Sequence, residues 1–214
     1  MTLSAFKNPS FGQVQLIWYT LFILTCLPLA WLVYRGSNNA LGVNPVETIT
    51  NDTGNWALYL LMAALTVTPL RQLSGWHWLA RMRRMLGLMA FLYVCLHALT
   101  YFWLEQFFDV GAIWQDILTR PFIAVGIIAL LLLMPLAVTS WSKMMRMMGG
   151  KRWQQLHRLV YVVGILSVVH FWLLKAGKNL IGEPILFTGI VTVLLGARIA
   201  RRVWQQRHKT KRFV

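Results

Sequence analysis

Three histidines, His97, His157 and His170, sit in stretches that are otherwise almost wholly apolar: RRMLGLMAFLYVCLHALTYF around the first and WQQLHRLVYVVGILSVVH around the other two. An imidazole in hydrocarbon is costly and is kept where it faces a bundle interior and has a partner. A lone histidine of this kind is by default a hydrogen-bonded packing residue. Two at one depth on different helices can do something more specific, because neutral imidazole ligates iron and opposed imidazoles can fill both axial positions of a heme. Thirteen residues separate Arg84 from His97, and thirteen separate His157 from His170. A helix climbs about 20 Å over that interval. With both helices entering the membrane from the same side, near Arg84 and Trp153, His97 and His170 arrive at one level toward the outer face. They are the expected axial ligands of an outer heme iron.

His157 falls near the inner face, where Arg84 rather than another histidine stands at its level. It is expected to ligate a second, inner heme iron or to contact a different cofactor, with Arg84 available to a propionate or another anion. On a straight helix thirteen residues leave His157 and His170 pointing roughly 140° apart, toward different neighbours. Gly164 between them could ease packing or a bend. The depth offset of His157 also keeps the three from closing one compact zinc sphere.

The elements that must position these side chains are membrane helices. The 214 residues are 57% hydrophobic and only 13% charged, a balance foreign to soluble domains of this length. Apolar runs fall at about 14–34, 54–70, 85–104, 121–140, 156–174 and 184–200, each near the roughly 20 residues that cross the hydrocarbon core. The expectation is all-α: one polytopic bundle over 1–214 with six transmembrane helices and a basic tail from 201. The first run lacks a small-residue cleavage site and is read as retained.

Net charge is +15. With the N-terminus in the cytoplasm, seventeen basic residues lie inside, from Lys7 through the 71–84 and 141–152 loops to Arg212, and Arg35, Arg120, Lys175 and Lys178 lie outside. That asymmetry predicts an N-in, C-in topology. All six acidic residues (Glu47, Asp52, Glu105, Asp109, Asp116 and Glu183) then fall outside. The basic KTKR cluster follows a span, where anionic headgroups explain it; no nucleic-acid partner is expected.

Other residue types offer less. Cys26 and Cys95 lie inside spans with no CxxC or CxxCH pattern, which argues for small core residues and against covalently attached heme. His77 and His208 lie in basic stretches and are set aside. The methionines of RMRRM and KMMRMMGG, interspersed with arginine, read as amphipathic interfacial surface, and Trp18, Trp31, Trp56, Trp103, Trp141, Trp153 and Trp172 as an interfacial belt. The outer stretch RGSNNALGVNPVETITNDTG reads as a long loop, either a partner-docking segment or a plain connector. There is no GxGxxG after a strand, P-loop, GxSxG or HExxH, so electrons would have to arrive from membrane quinol or a separate reductase.

Beyond these readings, RRMLGLMAFLYVCLHALTYF, TRPFIAVGI, GGKRWQQLHRLVY and the outer LGVNPVETI resemble the MsrQ family of heme-binding membrane subunits over nearly the whole chain. The resemblance implies a ferric-reductase-like, cytochrome b type fold in the bacterial inner membrane, with b-type heme and FMN. It also implies electron delivery to a periplasmic molybdopterin subunit, MsrP, that reduces oxidised methionine in proteins. The donor would be the quinone pool or a cytosolic flavin reductase. Ferric reductases at large carry two histidines on each of two helices, whereas this chain has Arg84 at the inner position of the third span. One or two hemes therefore stay open.

The leading expectation is an electron conduit whose sulfoxide chemistry resides on the partner. A cytochrome b conduit with another partner, a transporter and a structural anchor are the rivals. A transporter would need polar groups lining a path, of which the spans offer few beyond the three histidines, and no paired discontinuous helices are evident; an anchor would not need three buried histidines.

Overall fold

The computed structural model describes residues 9–177 and 182–210, so Lys7, Lys178, Lys211 and Arg212 of the charge count lie outside the described residues. Helix α1, Phe11–Ser37, starts on a capping box in which Ser10 and Gln13 satisfy one another's backbone amides. Helix α2, Pro45–Ser74, is capped by Asn44, has proline in its first turn and ends on Gly75 in the left-handed conformation. The stretch read as a long outer loop is thus mostly helix: only 38–44 connects α1 to α2, and the polar residues of VETITNDTG are the first turns of α2. Asn44, followed by Pro45, is the start signal that the turn-rich composition masked.

Helix α3, Leu79–Leu99, runs on into a π-helical turn at Thr100–Glu105. After it come α4 (Val110–Thr119), α5 (Pro121–Val138), the short α6 (Ser142–Met148) and α7 (Gly150–Leu156), α8 (Leu159–Ala176) and α9 (Gly182–Thr210). No strand occurs among the described residues. The expected span at 156–174 is interrupted by a turn on His157 and Arg158, whereas the helix runs unbroken through Gly164. Gly164 instead lets α8 approach α2: a Cβ at this position would stand 3.1 Å from a Leu65 methyl.

Helices α2, α3, α5 and α8 form a closed ring, each touching the next, with α1 flanking α2 and α3 and α9 packed on α2 and α8. Among the described residues five helical segments are long and apolar enough to cross a membrane: Phe11–Ser37, Leu79–Glu105 (α3 with the π turn), Pro121–Val138, Gly150–Ala176 (α7 with α8) and Gly182–Arg201. The chain is a multi-pass membrane protein. Helix α2, the remaining one of the six expected, falls short of that hydropathy because its first turns are polar; beyond them it buries Ala57, Leu58, Leu60, Leu61, Met62, Ala64, Leu65 and Val67 against its neighbours.

Met82 and Met85 of RMRRM are core residues, 1% and 5% exposed, while Arg81 and Arg84 face outward; that stretch is amphipathic, with its methionines inward. Met145 and Met147 of the second methionine stretch are exposed. Cys26 and Cys95 are half-buried free thiols. Tyr93, 1% exposed, donates its hydroxyl to the Thr25 carbonyl at 2.8 Å and ties α3 to α1.

One end of the bundle collects the described acidic residues. There Arg35 pairs with Asp52, Arg120 with Asp116 and Lys175 with Glu183, at 3.3, 3.1 and 3.2 Å. Asp116 is the buried member, 8% exposed, and also accepts from Tyr101 Oη at 3.1 Å and Gln106 Nε2 at 2.7 Å. It locks α4 beneath the π turn, while Val110, Trp114 and Leu118 of α4 face outward. Asp116→Ala should lower stability by about 2 kcal/mol, because it strands a buried hydroxyl and amide. Asp116→Asn, which keeps an acceptor, should lose less. Thermal melting in detergent reads the difference, and equal midpoints for Asp116→Ala and the parent would contradict the hub role.

Candidate functional site

The ring of α2, α3, α5 and α8 encloses a cavity of about 420 Å³, within the range of ligand pockets. Its walls are apolar, among them Leu61, Ala90, Val94, Leu130 and Val163, and its mouth at the acidic end carries Asn44, Glu47, Asn51 and Glu105. His97 from α3 and His170 from α8 both line it. Their ring centres are 6.1 Å apart and their planes meet at 84°. The depth matching expected from sequence thus brings these two residues together.

Each imidazole is held in the same way. His97 Nδ1 lies 2.9 Å from the Thr50 carbonyl of α2, and His170 Nδ1 lies 2.7 Å from the Phe122 carbonyl of α5. A carbonyl oxygen can only accept, so each Nδ1 carries the proton and each Nε2 keeps a free lone pair. This is the arrangement of a metal-binding histidine, whose second nitrogen is fixed by a backbone acceptor. Two imidazoles sharing a metal through opposed nitrogens, with bonds of about 2 Å and roughly 1.1 Å from nitrogen to ring centre, place their centres roughly 6.2 Å apart. The observed 6.1 Å fits that spacing. Among the described residues no cluster of three or more His, Cys, Asp or Glu could hold a metal ion.

His157 sits elsewhere. It does not line the cavity, and its turn lies near the opposite, basic end of the bundle. Its Nε2 is 3.0 Å from Thr139 Oγ1, and its ring stacks on Trp153 with centres 3.9 Å apart. The Thr139 hydroxyl already donates to the Pro135 carbonyl at 2.6 Å, so it accepts from His157, whose Nε2 carries a proton. Trp153 is anchored in turn through its indole nitrogen to the Thr139 carbonyl at 2.8 Å, a tertiary role beside its place in the interfacial belt. Arg84 is exposed and does not line the cavity, and the arginine whose charge acts on His157 is its neighbour Arg83. His77 is exposed and apart from both places.

Sequence reasoning missed Gly54 and Gly126. A Cβ on Gly54 would stand 3.0 Å from His97 Nδ1 and Cε1, and one on Gly126 equally close to the same atoms of His170. The available signal was an isolated glycine inside a helical pattern, which marks a close approach. Gly126 shows it within PFIAVGII, whereas Gly54 was lost in a segment read as loop.

Residues 53–168 match the ferric reductase like transmembrane component family. Across 202 residues, 94% of this chain and 92% of the relative, the sequence is 50% identical to the protein-methionine-sulfoxide reductase heme-binding subunit MsrQ of Herminiimonas arsenicoxydans. The chain belongs to the MsrQ family. Identity to the MsrQ of Azospira oryzae is 51% over 197 residues, 92% of this chain and 84% of that one. For the MsrQ of Rhodospirillum rubrum it is 50% over 186 residues, covering 87% and 88%. No solved structure matches the chain. The MsrQ-family match thus spans both histidine helices and the two helices that clasp them.

Filling the cavity tests whether it is the binding site. Val94→Trp, placed in the wall one turn from His97, should cut hemin binding by the purified protein at least tenfold. Leu92→Trp on the exposed face of the same helix should leave it unchanged. Equal hemin titrations for the two would exclude the cavity.

Proposed function

We propose that the chain is the electron-carrying, heme-binding membrane subunit of a protein-methionine-sulfoxide reductase system. The observation that carries this reading is the opposed pair His97 and His170, with Nδ1 of each committed to a backbone carbonyl and Nε2 of each left free in an apolar cavity. These two residues would hold the iron of a b-type heme. When bound, that heme supplies a one-electron iron couple. The chain's part is to orient both imidazoles, to exclude water with the apolar walls and so to tune the couple through burial and the Nδ1 hydrogen bonds.

The acidic mouth is read as the periplasmic side and the basic end as the cytoplasmic side of the bacterial inner membrane, with six helices crossing and both termini inside. Support comes from the charge asymmetry and from the pairing of the outer cations Arg35, Arg120 and Lys175 with carboxylates. The electron acceptor at the mouth is the periplasmic molybdopterin subunit MsrP, which performs the sulfoxide chemistry. The donor at the basic end is membrane quinol or a cytosolic flavin reductase. His157 would serve an inner cofactor at the basic end; its Nε2 is committed to Thr139 and Arg84 is exposed, so no second heme is assigned to them. The FMN that the family resemblance implies is not assigned to particular residues. A transporter would need a polar path from end to end, whereas Met85, Met89, Leu133, Leu136 and Val163 fill the bundle interior as an apolar core.

Absorption spectra of the detergent-purified chain after heme-replete expression test the proposal. A Soret band that shifts on dithionite reduction is expected, and His97→Ala and His170→Ala should each lose the low-spin form. No Soret band, or low-spin heme retained in both variants, would overturn it. A topology reporter fused after Val214 should report the cytoplasm; a periplasmic signal would invert the orientation.

A further inference from the structure

Resting on the heme reading above, we infer that Thr50 with Gly54 and Phe122 with Gly126 are matched backbone clasps: positioning residues that hold the His97 and His170 imidazole planes nearly at right angles. The two sites are built alike. In each, the carbonyl of residue i on one helix accepts Nδ1 from a histidine on its antiparallel neighbour, and residue i+4 is glycine. The spacing has a physical cause. A helical carbonyl points along the axis toward the residue one turn ahead, so a donor reaching its second lone pair from the side must pass where the Cβ of residue i+4 would stand.

At both sites the Nδ1–Cε1 edge of the ring occupies that space, 3.0 Å from the ideal Cβ position. Such a contact is too close for an alanine methyl unless the ring moves. A shift of the ring that relieves this contact tilts it against the carbonyl bond that sets its rotation about its own Cβ. The clasps lie on different helices, α2 and α5, and approach the cavity from different directions. Each ring plane therefore follows its own helix, and the 84° between the planes is the outcome. Perpendicular axial imidazoles leave the iron d orbitals nearly degenerate, and a ferric heme so held gives a highly anisotropic low-spin EPR signal. Parallel imidazoles give an ordinary three-line rhombic spectrum.

The experiment is EPR of the ferric, hemin-loaded full chain in detergent, with heme content and midpoint potential measured alongside. The parent should show the highly anisotropic signal. Gly54→Ala and Gly126→Ala should each replace it with a rhombic or high-spin signal and shift the potential, and loss of heme from a variant that melts like the parent has the same meaning. Gly87→Ala, where a Cβ meets nothing within 4 Å, and Gly164→Ala, which crowds only Leu65, should keep the parent signal. A rhombic parent spectrum, or an unchanged signal in both clasp variants, would overturn the inference while leaving axial ligation intact. Failure of both clasp variants to accumulate while Gly164→Ala accumulates would also overturn it, by making the glycines a folding requirement. An absent low-spin signal in the parent would instead sink the heme reading itself.

Discussion

Two backbone carbonyls decide the chemistry available inside this bundle. Thr50 and Phe122 can offer only acceptors, so the histidines that reach them must present Nδ1–H and turn the unprotonated nitrogen to the cavity. The low dielectric of the surroundings makes a half-satisfied imidazole expensive, and the carbonyl removes half of that cost while leaving the other nitrogen for a ligand. Everything else in the ring serves that geometry. Antiparallel packing of α2 with α3 and of α5 with α8 delivers each histidine to its carbonyl, and close contact between α3 and α5 and between α2 and α8 closes the ring.

Much of this was legible in the sequence. Apolar runs placed the helices, and the spacing from Arg84 to His97 and from His157 to His170 placed two imidazoles at one depth, because rise per residue is a fixed property of a helix. What failed was direction and continuity. Periodicity along one helix does not say which neighbour a side chain meets, so the carbonyl partners and Gly54 could not be found from it. The helix interruption at His157 and Arg158 was invisible because no proline or glycine marks it.

The start of α2 was hidden by composition. Val46 to Gly54 contains Glu47, Thr48, Thr50, Asn51, Asp52 and Thr53, a run that reads as loop on polarity alone. In the fold those groups are absorbed locally: Thr53 bonds back to the Ile49 carbonyl, Asp52 takes Arg35, and Thr50 joins Thr100 and Glu105. Tertiary partners outweigh propensity there, which is where sequence reasoning is weakest. The π turn at Thr100–Glu105 belongs to the same cluster, consistent with the tendency of such turns to accompany functional sites.

The modest hydropathy of α2 has a counterpart in its contacts. Among the described residues five helices are long and apolar enough to cross a membrane, and α2 is not one of them. Its polar first turns find their partners on α1, α3 and the π turn, segments that flank it in the chain. The contacts that give those polar groups partners also bring His97 to the Thr50 carbonyl, so the helix with the most polar first turns is the one whose neighbours complete half of the site.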